Sequence, residues 1–405
     1  MARRHAHGLT PSITWRVERT GRIPLTSKNG RSVLDLHLGS RRVGTHRTAL
    51  GRQSPRPARR RETPVVDSTR TQGYAEPMTS SGARTPRVTI AIPTFNRLGG
   101  YFPQALASAL AQDYENLEVL VCDNASTDGT DVYMSSVTDE RLRYLRHAHN
   151  IGAHANFNAC VDNAAGEYLV LLHDDDLLDD GFVSSCMSAL GEAREAGTTE
   201  VGVIRTGSRV IDARGSVRSE NRTDTSGLSD ADVMVRWFER KTPLYMASTL
   251  YNTAKLKAIG GFSSPHGLYQ DVKATAILMA RHGRVDVDEV LASFRRHADN
   301  RGTSVRAVEW AEDALHLLDV LVSEFPAKRE ELRRLGSVYL CEKCLRVASG
   351  IPATKDRWQA YRQVATLFDG SVSPLRFETK RIGRQLRSRL RSGVKRLMAP
   401  RAVAS

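Results

Sequence analysis

Tyr168-Leu169-Val170-Leu171-Leu172-His173-Asp174-Asp175-Asp176 sets five consecutive apolar residues directly against three carboxylates. A short unbroken apolar run fits a strand buried on both faces, because a half-exposed strand would alternate apolar and polar positions. Three adjacent carboxylates repel one another unless a cation is near. Hard divalent ions such as Mg²⁺ or Mn²⁺ take carboxylate oxygens and keep positions open for substrate phosphates. The acidic run also reads as a solvated turn capping a following helix, since carboxylates favour helix N-termini. Its place on the lip of a wholly apolar strand favours the metal.

Upstream the same grammar repeats. Val88-Thr89-Ile90-Ala91-Ile92 reads as a buried strand ending at Pro93, and 102–112 follows with helical spacing. Leu117-Glu118-Val119-Leu120-Val121-Cys122 forms a second strand running into Asp123. A weaker strand around Arg143-Tyr144-Leu145 and a helix over 153–165 complete the series. Strand and helix in alternation imply an α/β domain with a mainly parallel sheet. In such sheets ligands bind beyond the carboxyl ends of the strands. Thr94 to Arg97, Asp123 and Asp174 to Asp176 all sit at those ends. Asp123, an acceptor-only carboxylate, can accept the ring N–H of a uracil or thymine base; the segment also reads as a plain strand-to-helix loop with Ser126 or Asp128 as cap.

The whole chain has 405 residues and is 40% hydrophobic, enough for one large core with appendages. Its net charge of +14 is concentrated at the ends: 1–77 carries +11 and 376–405 carries +9, leaving 78–375 mildly acidic. The centre therefore lacks a footprint for phosphate backbones, and no specific nucleic acid is expected. Residues 1–85 are rich in Arg, Thr, Ser, Gly and Pro without periodicity and read as a disordered basic tail, or as the product of a start placed ahead of Met78. Five sparsely placed cysteines fit a reducing compartment, and no apolar run reaches the ~20 residues of a membrane span. The expectation is a cytoplasmic protein, peripheral on the inner face of the membrane if its last segment binds lipid. That segment, 376–398, spaces Ile382, Leu386, Leu390 and Val394 every four residues on a basic background. It reads as an amphipathic helix for an anionic membrane surface, or as a solvated basic helix.

Together the motifs resemble glycosyltransferase family 2. Ile92-Pro93-Thr94-Phe95-Asn96-Arg97, Ser108-Ala109-Leu110-Ala111-Gln112 and Val121-Cys122-Asp123-Asn124-Ala125-Ser126-Thr127-Asp128 resemble its opening. Asn150-Ile151-Gly152 with Asn156, Ala165-Gly166-Glu167-Tyr168 and the His173–Asp176 run follow in family order and spacing. The resemblance implies a GT-A fold, Rossmann-like and nucleotide-binding, over 86–304; beyond it, helical spacing of apolar residues reads as a helical appendage over 305–375, followed by a basic helix or tail over 376–405. The resemblance also implies that Pro93, Thr94, Phe95 and Asn96 line the base pocket, that Asp123 binds the pyrimidine and that Asp174 contacts the ribose. Asp175 is the expected direct metal ligand, supported by Asp176 and by His297. His173 stands where the family often has its first Asp, which shifts the metal register by up to one residue.

Ala258-Ile259-Gly260-Gly261-Phe262 followed by Leu268-Tyr269-Gln270-Asp271 resembles the family's Gly-Gly-Phe turn and Glu-Asp pair, with Gln270 in place of the Glu. Gly260, Gly261 and Gln270 would then shape the donor and acceptor loop, with Asp271 as general base; Asp271 also reads as a helix cap. The implied reaction is inverting transfer from a nucleoside-diphosphate sugar, UDP or TDP, to a saccharide or lipid-linked acceptor in cell-surface polysaccharide or glycolipid synthesis. Two other readings stand beside it: a sugar-1-phosphate nucleotidyltransferase, for which Pro93-Thr94-Phe95-Asn96 is a poor triphosphate loop, and a catalytically silent membrane-associated scaffold. Cys341 and Cys344 lack a second ligand pair and read as packing residues.

Overall fold

The computed structural model describes residues 85–297 and 307–398. The chain divides into two units, Met1–Pro77 and Met78–Ser405. The first unit, and with it nearly all of the tail expected over 1–85, lies outside the described residues.

The second unit opens with β1 (Val88–Thr94), α1 (Phe102–Leu110), β2 (Leu117–Asp123), α2 (Thr130–Ser136), β3 (Leu142–Arg146), α3 (Ala153–Asn163) and β4 (Tyr168–Leu171). There follow β5 (Leu177–Leu178), α4 (Phe182–Glu195), β6 (Val203–Asp212), β7 (Val217–Asn221), α5 (Asp230–Phe238), β8 (Thr249–Asn252), α6 (Thr253–Ala258), α7 (Gln270–His282) and β9 (Arg284–Arg296). After β9 the described residues form α8 (Ala307–Glu324), α9 (Arg329–Ala348), α10 (Thr354–Leu367) and α11 (Pro374–Met398).

Among the described residues nine strands form one sheet in the order β3-β2-β1-β4-β8-β6-β9-β5, with β7 paired to β6. The first four strands run parallel, with Val88 opposite both Leu117 and Tyr168. Beyond β4 the sheet is mixed: β8 is antiparallel to β4 and β6, whereas β9 is parallel to β6. The apolar runs are explained by cores on both faces. On one face Val88, Ile90, Ile92, Val170 and Leu172 meet α1 and α4 through Phe102, Leu106, Phe182 and Cys186. On the other, Ala91, Leu120, Leu169 and Leu171 meet α3 and α7 through Cys160, Val161 and Leu278. Successive residues of a strand point to opposite faces, so a strand covered on both sides is apolar throughout.

The helices after β9 do not sit apart from this core. Leu317, Leu318 and Leu321 of α8 and Leu332, Leu340, Cys341, Cys344 and Leu345 of α9 join the apolar cluster that holds Trp237, Phe238 and Tyr269. They approach closely at Gly336, where a Cβ would lie 2.6 Å from Leu318 Cδ1 and 2.8 Å from Phe238 Cζ. Cys341 and Cys344 are free and buried, and burial pushes both thiols up to about 12, as befits packing residues. In α11, Phe377 and Glu378 are buried while Ile382 and Leu386 are exposed. Among the described residues no helix is long and apolar enough to cross a membrane.

Candidate active site

The carboxyl ends of β1 and β4 open onto a cleft of about 730 Å³. Pro93, Thr94, Phe95 and Arg97 line it from the loop after β1, and Asn124 from the loop after β2. The two loops brace each other: Asn96 N donates to Ser126 Oγ at 2.9 Å, and Asn96 Oδ1 accepts from Thr127 N at 2.7 Å. Asn96 adopts φ 54°, a left-handed conformation that Asn tolerates better than most residues. Its side chain serves this brace and is absent from the cleft lining.

Asp123 is fully buried behind the same wall. Its Oδ1 accepts from Ser126 N at 2.9 Å, and its Oδ2 accepts from Tyr144 Oη at 2.6 Å with Arg146 Nε 3.5 Å away. Burial, followed by the hydrogen bond to Asp123, holds the Tyr144 hydroxyl well above its ordinary range, so it stays a donor. The residue that lines the cleft at this strand end is Asn124. Asn124 is itself fixed by donation to Asn150 Oδ1 (2.9 Å) and by accepting from Ile151 N (2.8 Å).

Beyond β4, His173, Asp174 and Asp175 line the cleft and Asp176 lies beneath them. Thr94 Oγ1 donates to Asp174 Oδ2 at 2.9 Å, joining the ends of β1 and β4. Burial, with the Asp175 charge beside it, raises Asp174 to about 6. Asp176 Oδ1 accepts from Arg295 N at 2.8 Å, whereas Oδ2 is buried without a hydrogen bond and has His173 Nδ1 3.4 Å away. Burial also raises Asp176. For His173 burial opposes the charged form, yet the carboxylates of Asp176, Asp175 and Asp174 beside it outweigh it and carry the imidazole to about 9. Ligand atoms of His173, Asp175 and Asp176 lie within 4.8 Å of one another. Two hard carboxylates, one with an orphaned buried oxygen, beside one imidazole suit Mg²⁺ or Mn²⁺. His297, expected as a ligand, holds Asp175 Oδ2 at 2.8 Å through Nε2 and packs on the Tyr101 ring at 5.0 Å. Arg295 buttresses the run, donating to the Asp175 carbonyl at 2.9 Å with its guanidinium 4.2 Å above the Tyr101 ring.

The opposite wall begins at the start of α7. Gln270 and Asp271 both line the cleft. Asp271 is in the first turn, not at the cap, which is Tyr269. Burial raises the Asp271 carboxyl. Gln270 Oε1 lies 3.2 Å from His154 Nδ1. Gly260 and Gly261 are set back from the cleft lining in a turn clamped by Asn158, whose carboxamide bonds Phe262 N and O at 2.9 Å each. At Gly261, φ is 68° and a Cβ would fall 2.3 Å from Asn158 Oδ1, so the close approach there is to this side chain. The loop between this turn and Asp271 is held from α8: buried Asp313 accepts from Ser264 Oγ at 2.6 Å and from His266 N and Leu268 N at 2.7 Å.

Sequence reasoning missed most of this wall. Tyr245 and Phe294 stack at 4.8 Å with an 11° interplanar angle, and both line the cleft. Trp237 from α5, Trp310 from α8, and Tyr339 and Lys343 from α9 add to it. Aromatic residues at helical spacing look like core residues, and only long-range packing distinguishes a cleft wall from a core.

The family model described as "Glycosyl transferase family 2" matches residues 89–240. A 110-residue stretch is 34% identical to the GalNAc(5)-diNAcBac-PP-undecaprenol beta-1,3-glucosyltransferase of Campylobacter jejuni, covering 26% of this chain and 35% of that protein. A 93-residue stretch is 36% identical to the putative colanic acid biosynthesis glycosyl transferase WcaA of Escherichia coli, covering 22% of this chain and 33% of that protein. The chain thus spans about a third of the length of these relatives. Among solved structures, Staphylococcus aureus TarS 1–349 in complex with UDP-GlcNAc aligns with a TM-score of 0.48 and 15% identity, over 73% of this chain and 92% of that one. The mannosyltransferase PcManGT from Pyrobaculum calidifontis, in complex with GDP-Man and Mn²⁺, aligns with a TM-score of 0.45 and 17% identity, over 74% and 88%. The likeness to glycosyl transferase family 2 thus lies in residues 89–240.

Proposed function

We propose that the protein is an inverting glycosyltransferase that moves a sugar from a nucleoside-diphosphate sugar, UDP or TDP, to a hydroxyl of a saccharide or lipid-linked acceptor. The observation that carries this reading is that Asp174 and Asp175 at the end of β4 share one cleft with Asp271 at the start of α7. In the proposed complex the base and ribose lie against Phe95, Asn124 and Thr94, with Asp123 bracing the wall behind them and Asp174 facing the ribose. A divalent cation held by Asp175 and Asp176, with His173 as the neighbouring nitrogen and His297 orienting Asp175, would neutralise charge on the leaving diphosphate. Asp271 takes the proton from the acceptor hydroxyl as that oxygen bonds the anomeric carbon from the side opposite the diphosphate. The bond from that carbon to the phosphate oxygen breaks, and its electron pair leaves on the diphosphate. Burial raises Asp271 towards the range where a carboxylate is an effective base.

The relatives, a glucosyltransferase named for a diphosphate-undecaprenol substrate and a putative colanic acid enzyme, favour a role in cell-envelope saccharide synthesis. A basic α11 that exposes Ile382 and Leu386 suits a peripheral position on an anionic, cytoplasmic membrane face. The test is a thermal-shift series on the full chain with UDP, TDP, GDP, CDP and ADP, each with and without Mn²⁺. A ligand that binds only the native state raises the melting temperature. A shift with one diphosphate that requires the metal is the expected result. No shift with any of the five overturns the reading.

A further inference from the structure

Three hydrogen-bond donors along the cleft's helical wall have no acceptor among the described residues. Lys343 on α9 places Nζ 5.2 Å from the Tyr269 ring centroid, 5.5 Å from Tyr339 and 5.8 Å from Trp237, and it forms no hydrogen bond or ion pair to a described residue. Tyr269 Oη and Trp310 Nε1 are buried, and neither has a hydrogen-bond partner among the described residues. All three residues line the cleft, and Tyr269 is only 2% exposed. The neighbouring cation, Arg240, differs: its guanidinium is already tied to Glu342 at 2.7 Å. Buried donors normally have partners, and leaving one unmade is costly. Two orphaned donors and a caged ammonium in one cleft wall therefore point to an oxygen-rich anionic ligand. The surrounding rings supply flat apolar faces, the usual lining of a small-ligand site in which a few polar groups fix orientation.

Resting on the transferase reading above, we propose that this wall is the acceptor subsite and that it selects an acceptor bearing an anionic group, a phosphate or a carboxylate, held by Lys343, Tyr269 and Trp310. The wall adjoins Asp271, so an acceptor anchored here presents its hydroxyl to the base. The end of the cleft near β4 is acidic and faces the donor. The end beneath α9 is cationic and faces the acceptor. A purely structural role for Lys343, as a cation caged by aromatic rings and balanced through space by Asp271, makes a different prediction: stability would depend on it and ligand choice would not.

The experiment titrates the full chain, in the presence of the nucleoside diphosphate and Mn²⁺ that stabilise it, and follows tryptophan fluorescence. Three probes are compared: a short prenyl diphosphate-linked N-acetylglucosamine, a hexuronic acid trisaccharide and a neutral trisaccharide. One anionic probe is expected to bind about ten- to a hundredfold tighter than the neutral one, the ratio typical of a hydrogen bond to a charged group. Whichever anionic probe wins identifies the source as lipid phosphate or sugar carboxylate. Lys343→Met should erase the preference and Lys343→Arg should keep most of it. Tyr269→Phe, which preserves the ring, should lower it severalfold and serves should Lys343→Met fail to fold. Equal binding of all probes, binding of none, or an undiminished preference in folded Lys343→Met or Tyr269→Phe would overturn the subsite. The metal-dependent nucleotide shift, scored on the same samples, separates the two readings: its presence without anion preference sinks only the subsite, and its absence sinks the transferase.

Discussion

Thr94 Oγ1 donates to Asp174 Oδ2 at 2.9 Å, so residues eighty positions apart fasten the carboxyl ends of β1 and β4 to each other. The bond favours the ionised carboxylate that burial and Asp175 disfavour. Thr94→Val keeps the shape and removes the donor, leaving the carboxylate one partner short. The expected loss is about 1–3 kcal/mol of stability or nucleotide affinity. Denaturant melts and nucleotide titrations read it, and unchanged values in both would show that the bond contributes nothing.

Asp175→Ala should remove the metal requirement for nucleotide binding along with the binding itself. The melting-temperature shift with nucleotide and Mn²⁺ should drop to the shift with nucleotide alone. A retained metal-dependent shift would move the proposed ion off the His173, Asp175, Asp176 cluster.

Asp271→Asn should lower turnover about 10²–10⁴-fold with nucleotide affinity nearly intact, the usual size of a general-base contribution. The pH profile follows from the same group. Burial raises the Asp271 carboxyl above its ordinary value, and the base works only when deprotonated. Activity is therefore complete above the raised value and falls as pH drops through it, with the acid limb displaced upward from the ordinary carboxylate range. A profile flat down to that ordinary range would exclude Asp271 as the base.

Asp313→Ala frees Ser264 Oγ, His266 N and Leu268 N from a carboxylate on α8. The loop leading into Asp271 then loses its anchor. Turnover should fall while metal-dependent nucleotide binding, which uses the far wall, persists. Because two part-buried backbone N–H groups and a hydroxyl also lose their acceptor, stability should drop by about 1–3 kcal/mol. Equal damage to nucleotide binding would mean that the two walls are not independent.

Gly336→Val drives a branched side chain into Leu318 and Phe238, where even a Cβ is too close. Overpacking of this kind typically costs about 1–3 kcal/mol. If α8 and α9 share the core of the sheet domain, the melting transition should move down as a single event. Two separated transitions would show that the helices fold as an independent appendage.

The parallel half of the fold was legible because its cause is local. A strand covered on both faces must be apolar at every position, so Val88–Ile92, Leu117–Cys122 and Tyr168–Leu172 declared themselves, and the polar residues that follow them had to lie at the strand ends. Asp174, Asp175 and Asp271 could be named from that logic and from family resemblance, and the fold brings all three to one cleft. The region 203–251 was opaque because β6 takes its sheet neighbours β8 and β9 from far along the chain and in opposite directions. Tertiary packing decided what local pattern does not encode: that Asp123 lies buried with Ser126, Tyr144 and Arg146 around its carboxylate, that His173 completes the acidic cluster, and that Gly260 and Gly261 stand back against Asn158. It also decided that Trp310, Tyr339 and Lys343, on helices that read from sequence as an appendage, form one wall of the cleft. A side chain's residue type is set where it stands in the chain, but whether it faces core, cleft or solvent depends on which distant helix packs over it.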